Sequence, residues 1–136
     1  MASKKLTQAH FDQWMHQYKE AWEQFDTDLA LSLFAPNASY YETPFHYPIT
    51  GYDNLHAYWT SAPHYQKDVN FEYEIIAVKG NTGYATWRVT YYQWATGETV
   101  TLDGVFEVKF SSDGLCSQLK SWWHRFAQIL DTYPTG

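Results

Sequence analysis

A single cysteine, Cys116, stands in 136 residues. An internal disulfide is therefore excluded, and nothing in the chain calls for an oxidising compartment. Long apolar runs are missing as well. The longest, Ile75 to Val78, has four residues, against the roughly 20 that a membrane-spanning helix needs. Basic side chains are few: nine Lys and Arg against fifteen Asp and Glu leave a formal charge of -6. That balance argues against a nucleic-acid partner, whose backbone demands clustered cations. The opening MASKKLTQAHFDQW has no apolar stretch of the kind that forms the core of a secretory leader. The expectation is a cytoplasmic protein that binds neither nucleic acid nor membrane. Five Pro and seven Gly are too few for a collagen-like or linker-dominated chain.

Several chemical signatures are absent too. The sequence has no Gly-x-Ser-x-Gly, no phosphate-cradling glycine loop and no pair of histidines at the spacing of a zinc protease. Nucleotide, serine-hydrolase and metal chemistry lack support, and no cofactor is expected. Aromatic rings are what the chain has in quantity. Seven Trp, twelve Tyr and eight Phe make up 20% of it, which excludes disorder. Length and the lack of repeats point to one domain over residues 7–130, with tails at 1–6 and 131–136.

Phe11, Trp14, Tyr18, Trp22 and Phe25 recur every three or four residues behind Thr7. The spacing predicts a helix with an aromatic stripe and Thr7 as its N-cap. Asp26-Thr27-Asp28 ends it and caps a short helix over Leu29 to Phe34, stopped near Pro36. Ala38 to Thr43 reads as a strand closed by Pro44, and Asp53 as the cap of a third helix. From Val69 the period becomes two. Turns at Lys79–Gly83, Thr96–Glu98 and Ser111–Gly114 separate strands over Tyr84–Trp94, Thr99–Phe110 and Cys116 to about Phe126. Three helices followed by antiparallel hairpins make an α+β domain. Parity turns Trp87, Val89 and Tyr91 inward, with Leu102, Phe106 and Val108 and with Leu119, Ser121, Trp123 and Arg125. Tyr92, Trp94 and Trp122 fall on the outer face, where several large exposed rings suggest a protein–protein surface.

The order of Leu33-Phe34-Ala35-Pro36-Asn37-Ala38, Gly51-Tyr52-Asp53-Asn54-Leu55, Val108-Lys109-Phe110, Asp113-Gly114 and Leu119-Lys120-Ser121-Trp122-Trp123 resembles the superfamily of nuclear transport factor 2, ketosteroid isomerase and SnoaL-like polyketide cyclases. The resemblance covers Thr7 to Phe126. It implies a cone-shaped, curved antiparallel sheet packed on three N-terminal helices, the cystatin-like α+β barrel, with a pocket between sheet and helices. It also implies a homodimer through the outer sheet face. Such folds host isomerases, dehydratases, cyclases and epoxide hydrolases as well as non-enzymatic domains.

By the same resemblance, Tyr18 falls at the ketosteroid isomerases' oxyanion tyrosine and Glu42 at their catalytic base. Phe106 stands where those enzymes carry a protonated Asp, so steroid isomerisation loses one of its three parts. Each residue also has a plainer reading. Tyr18 in an aromatic stripe is ordinary core. Glu42 faces inward if Tyr40 does, and outward if Tyr41 does. His46, beyond the first strand and near a pocket mouth, also reads as a surface residue. Trp14, Trp22, Tyr40, Trp59, Trp87, Tyr91, Phe106 and Trp123 are candidates to line the cone around a small hydrophobic or aromatic molecule. Two functions remain open. One is a cofactor-independent isomerase, cyclase or dehydratase with Glu42 as base, Tyr18 as hydrogen-bond donor and His46 assisting. The other is a ligand-binding or dimerisation module without chemistry. An epoxide hydrolase would need an inward arginine, for which Arg125 alone has the parity.

Overall fold

The computed structural model describes residues 5–128. The Thr7 hydroxyl accepts a hydrogen bond from the His10 N–H at 3.1 Å, capping helix α1 (Gln8–Glu23). Phe11, Trp14, Met15, Tyr18 and Ala21 form its buried face, since side chains three and four apart share one side of a helix. The helix does not continue through Phe25. That residue lies at φ +52°, a left-handed conformation that ends the helix, and the Asp26 N–H turns back to the Ala21 carbonyl at 2.9 Å. Asp26 then caps α2 (Thr27–Ser32) by accepting from the Leu29 N–H at 3.0 Å.

Strand β1 (Phe34–Tyr41) begins earlier than the prolines suggest. Pro36 lies where the pairing register shifts between Phe34 and Ser39, so its missing N–H breaks no regular ladder. A two-residue strand, β2 (Ile49–Thr50), pairs with β1 and was not anticipated. The cap of α3 (Tyr52–Ser61) is Gly51 rather than Asp53. Gly51 holds φ +83°, and its N–H bonds the Ala38 carbonyl at 3.2 Å. Asp53 sits inside the first turn, where its negative charge meets the positive end of the helix dipole.

Strands β3 (Gln66–Lys79), β4 (Thr82–Gln93), β5 (Glu98–Phe110) and β6 (Cys116–Gln128) follow as successive antiparallel hairpins. The curved, unclosed sheet has the order β2-β1-β6-β5-β4-β3, and β1 joins β6 in parallel. The helices pack on the face that carries Ala85, Trp87, Val89, Phe106, Val108 and Leu119, all buried. Arg88 and Asp103 point the other way and pair across the strands at 2.8 Å. Leu6, expected in a tail, donates its N–H to the Gly80 carbonyl at 3.1 Å and packs on the core. The expected tail at 131–136 lies outside the described residues.

Two glycines set close approaches. A Cβ on Gly83 would lie 2.6 Å from the Phe11 ring, so the start of β4 can touch α1 only without a side chain. Gly104 sits between Trp87 on β4 and Trp123 on β6, and a Cβ there would collide with the Trp122 carbonyl and the Trp123 Cβ. A glycine at such a place lets the strands bend tightly between two bulky rings. Because the Trp122 clash is with backbone, which cannot rotate away, Gly104→Ala is expected to destabilise the protein by about 1–3 kcal/mol. A drop in the urea midpoint measures it, and an unchanged midpoint would mean that β6 shifts freely.

Candidate active site

Period-two alternation brings the cavity together. Tyr40 pairs with Leu119 and Tyr41 with Lys120, so Tyr40 and Glu42 share the inward face with Leu119 and Ser121. Tyr40 is buried, whereas Tyr41 is half-buried beside the Lys120 ammonium. That resolves the direction of Glu42. With Trp22 from α1 and Tyr58 from α3, Tyr40 and Glu42 line a cavity of about 140 Å³. Tyr65, Gln66, Trp87, Tyr91, Leu102, Phe106, Ser121, Trp123 and Arg125 complete the wall. Trp87 and Phe106 stack there with centroids 4.8 Å apart and planes 21° apart.

The polar atoms of this wall are unevenly served. The Trp22 indole N–H donates to Gln66 Oε1 at 2.8 Å, and the Trp123 indole N–H to the main-chain carbonyl of Glu42 at 2.9 Å. Trp87 Nε1, Ser121 Oγ and Trp59 Nε1 are buried with no partner among the described residues. The Tyr18 and Tyr40 hydroxyls meet at 2.8 Å. Burial raises Tyr18 well above the ordinary phenol range, and the neighbouring Tyr40 and the charge of Glu42 add to it. Tyr58 is raised in the same way by burial, Tyr40 and Glu42. Tyr40 is pushed up by burial and by Glu42, although the hydrogen bond to Tyr18 works against that rise. Protonated phenols thus gather around one carboxylate. Arg125 lies on the wall but bonds Gln93 at 3.1 Å and faces Glu98 at 3.7 Å. Among the described residues Glu42 has no salt-bridge partner.

Several candidates lie elsewhere. Trp14 is buried away from the cavity: its N–H donates to the Leu33 carbonyl at 2.9 Å, and its ring stacks on Tyr18. Two turns of helix separate it from Trp22, and that distance carries it into the core. Tyr18 does not line this cavity; it stands behind Tyr40 in a narrow crevice with Trp59. His46 is exposed in the loop between β1 and β2, beside the almost fully exposed Phe45 and Tyr47, and does not line the cavity. Pro44 and Pro48 bracket that loop, and no strand pairs with it.

Other wall residues were not named as candidates. Tyr58 was visible only as a helix residue, while Leu102, Ser121 and Arg125 had inward parity. Gln66 lies ahead of the strand expected from Val69 on, and Asp68, at φ +54°, makes a bulge between Lys67 and Asn70. An extra residue of this kind reverses the parity upstream of it. Among the described residues, no three His, Cys, Asp or Glu side chains come together to hold a metal. No helix among the described residues is long and apolar enough to cross a membrane.

The sequence matches the SnoaL-like domain over residues 15–119. The chain belongs to the SnoaL-like family. Solved structures show the same fold at low identity. SalBIII, an epoxide hydrolase/cyclase-like enzyme with a role in pyran ring formation in the polyether salinomycin, aligns with TM-score 0.73 and 14% identity, over 83% of this chain and 89% of that one. Rv0760c from Mycobacterium tuberculosis aligns with TM-score 0.77 and 13% identity, over 91% and 100%. A computationally designed 17-OHP binder gives 0.73 and 15%, over 85% and 94%. No curated protein matches the sequence.

The buried phenols of this SnoaL-like chain make its stability fall in alkali. Raised folded-state values for Tyr18, Tyr40 and Tyr58 mean that the unfolded chain loses these protons first. Their contribution is fully present below the ordinary phenol value of about 10. It falls as pH rises further, by up to about 1.4 kcal/mol per pH unit for each group. A urea midpoint that stays level between about pH 10 and 11 would contradict the burial of all three.

Proposed function

We propose that this SnoaL-like chain binds a small hydrophobic or aromatic molecule in the cone and moves a proton on it without a cofactor, as an isomerase, cyclase or dehydratase does. The supporting observation is Glu42: a half-buried carboxylate without a cationic partner among the described residues, on the wall of an aromatic cavity. A base so placed removes a proton from carbon and returns it at another position. Tyr40 and Tyr58, protonated and close to the carboxylate, orient it. Tyr18 acts at one remove, through its bond to Tyr40, rather than as a donor to the ligand. His46 takes no part. The volume restricts the guest: about 140 Å³ is close to the ~150 Å³ of a cavity that holds benzene. A one-ring guest matches that volume.

The proposed partner at the outer sheet face is a second copy of the chain. Trp122 and Phe126 on β6 stand across the sheet from Tyr92 and Trp94 at the end of β4, and all four are exposed. The Arg88–Asp103 ion pair lies between these rings, so a two-fold axis through it would set aromatic surface against aromatic surface. A non-catalytic module is favoured by one observation, the filling of the cone's narrow part by Trp14 and Trp59.

Two experiments test these readings. Cyclohex-3-enone, a one-ring ketone, is followed by NMR as it isomerises to cyclohex-2-enone. The wild type is expected to accelerate the conversion, and Glu42→Gln to lower the rate by about 10²–10⁴-fold. Binding without turnover would leave the module in place of the enzyme. For the partner, sedimentation velocity at micromolar concentration is expected to give a dimer, and Trp122→Glu a monomer; a monomeric wild type ends the dimer proposal.

A further inference from the structure

Three indoles line the cavity that holds Glu42, and among the described residues only one of them is left without an acceptor. Trp22 donates to Gln66 and Trp123 to the Glu42 carbonyl. Trp87, 4% exposed, has no acceptor among the described residues. An indole N–H donates and never accepts, so only an acceptor atom can satisfy it. Ser121, 3% exposed, adds a second unpartnered group, a hydroxyl, to the same wall. Phe106 stands between the two, paired with Ser121 on one side and stacked against the Trp87 ring on the other. A buried donor left unmatched is costly, so the wall discriminates for a guest that brings the missing oxygen.

Charge and shape narrow the class. Glu42 lines the same small space, and the cation on the wall, Arg125, already faces Glu98. An anionic guest would meet a like charge with no free counter-ion. The stacked Trp87 and Phe106 rings offer a flat aromatic surface, and the volume admits one ring.

We propose that the ligand is a neutral, planar, single-ring carbonyl compound whose oxygen accepts a hydrogen bond from Trp87 Nε1. The inference rests on the cavity being a ligand site, as proposed above. It places the carbonyl at Trp87 instead of at Tyr18.

The test compares acetophenone with α-methylstyrene, in which a methylene group replaces the carbonyl oxygen, and with benzoate. Binding is followed by the indole N–H resonances of the full chain, with Trp87 assigned from the spectrum of Trp87→Phe. Acetophenone is expected to move the Trp87 N–H resonance downfield and to bind about tenfold more tightly than either of the others. Trp87→Phe should bring acetophenone and α-methylstyrene to equal affinity. Equal affinities in the wild type, or an unmoved Trp87 resonance at saturation, overturn the proposal even if the variant fails to fold. Benzoate binding as tightly as acetophenone overturns the neutral class. Failure of all three to bind removes the ligand-site reading itself.

Discussion

The hydrogen bond between the Tyr18 and Tyr40 hydroxyls joins α1 to β1 inside the cone, and the position of the site follows from it. Both groups are buried, and each would be costly without the other. Holding Tyr40 inward holds Glu42 inward two residues later. It also places Tyr58 of α3, whose ring lies 5.2 Å from that of Tyr40. The tyrosine resembling an oxyanion donor thus spends a hydrogen bond on Tyr40, the residue that fixes the face of Glu42.

The cavity exists because the core is built from rings. Aliphatic side chains adapt to fill gaps, whereas stacked and edge-on aromatics keep fixed spacings. Tyr18 meets Trp59 and Phe106 edge-on at 5.4 Å, while Phe71, Trp87 and Phe106 lie nearly parallel. Towards the turn of β5 and β6, Phe11, Trp14, Phe34 and Phe110 close this packing. Around Glu42 it stays open, leaving a cavity of about 140 Å³.

Inner and outer faces of the sheet divide the labour. Arg88 and Asp103 on the outside are exposed, and an ion pair in water adds little stability. The rings around them hold more apolar surface than a solvated sheet face needs. Inside, the ion pair of Lys19 and Glu23 secures the approach of α1 to β3. Glu23 accepts from the Phe71 N–H at 2.8 Å, and Lys19 donates to the Phe71 carbonyl at 2.5 Å.

Period and punctuation determined a large share of this protein in advance. The stripe from Phe11 to Trp22, the caps at Thr7 and Asp26 and the alternation on β4, β5 and β6 depend on residues close in sequence. Their faces were legible for that reason. Where one residue breaks the period, legibility ends: Asp68 reverses the parity that leads to Gln66, and Gly51 takes the cap from Asp53. The parallel pairing of β1 with β6 decided between Tyr40 and Tyr41, and so decided the direction of Glu42. Which indoles find acceptors, and how much space the rings leave, only the tertiary structure settled. Periodicity is a property of neighbours along the chain, whereas a cavity is the remainder after six strands and three helices have packed.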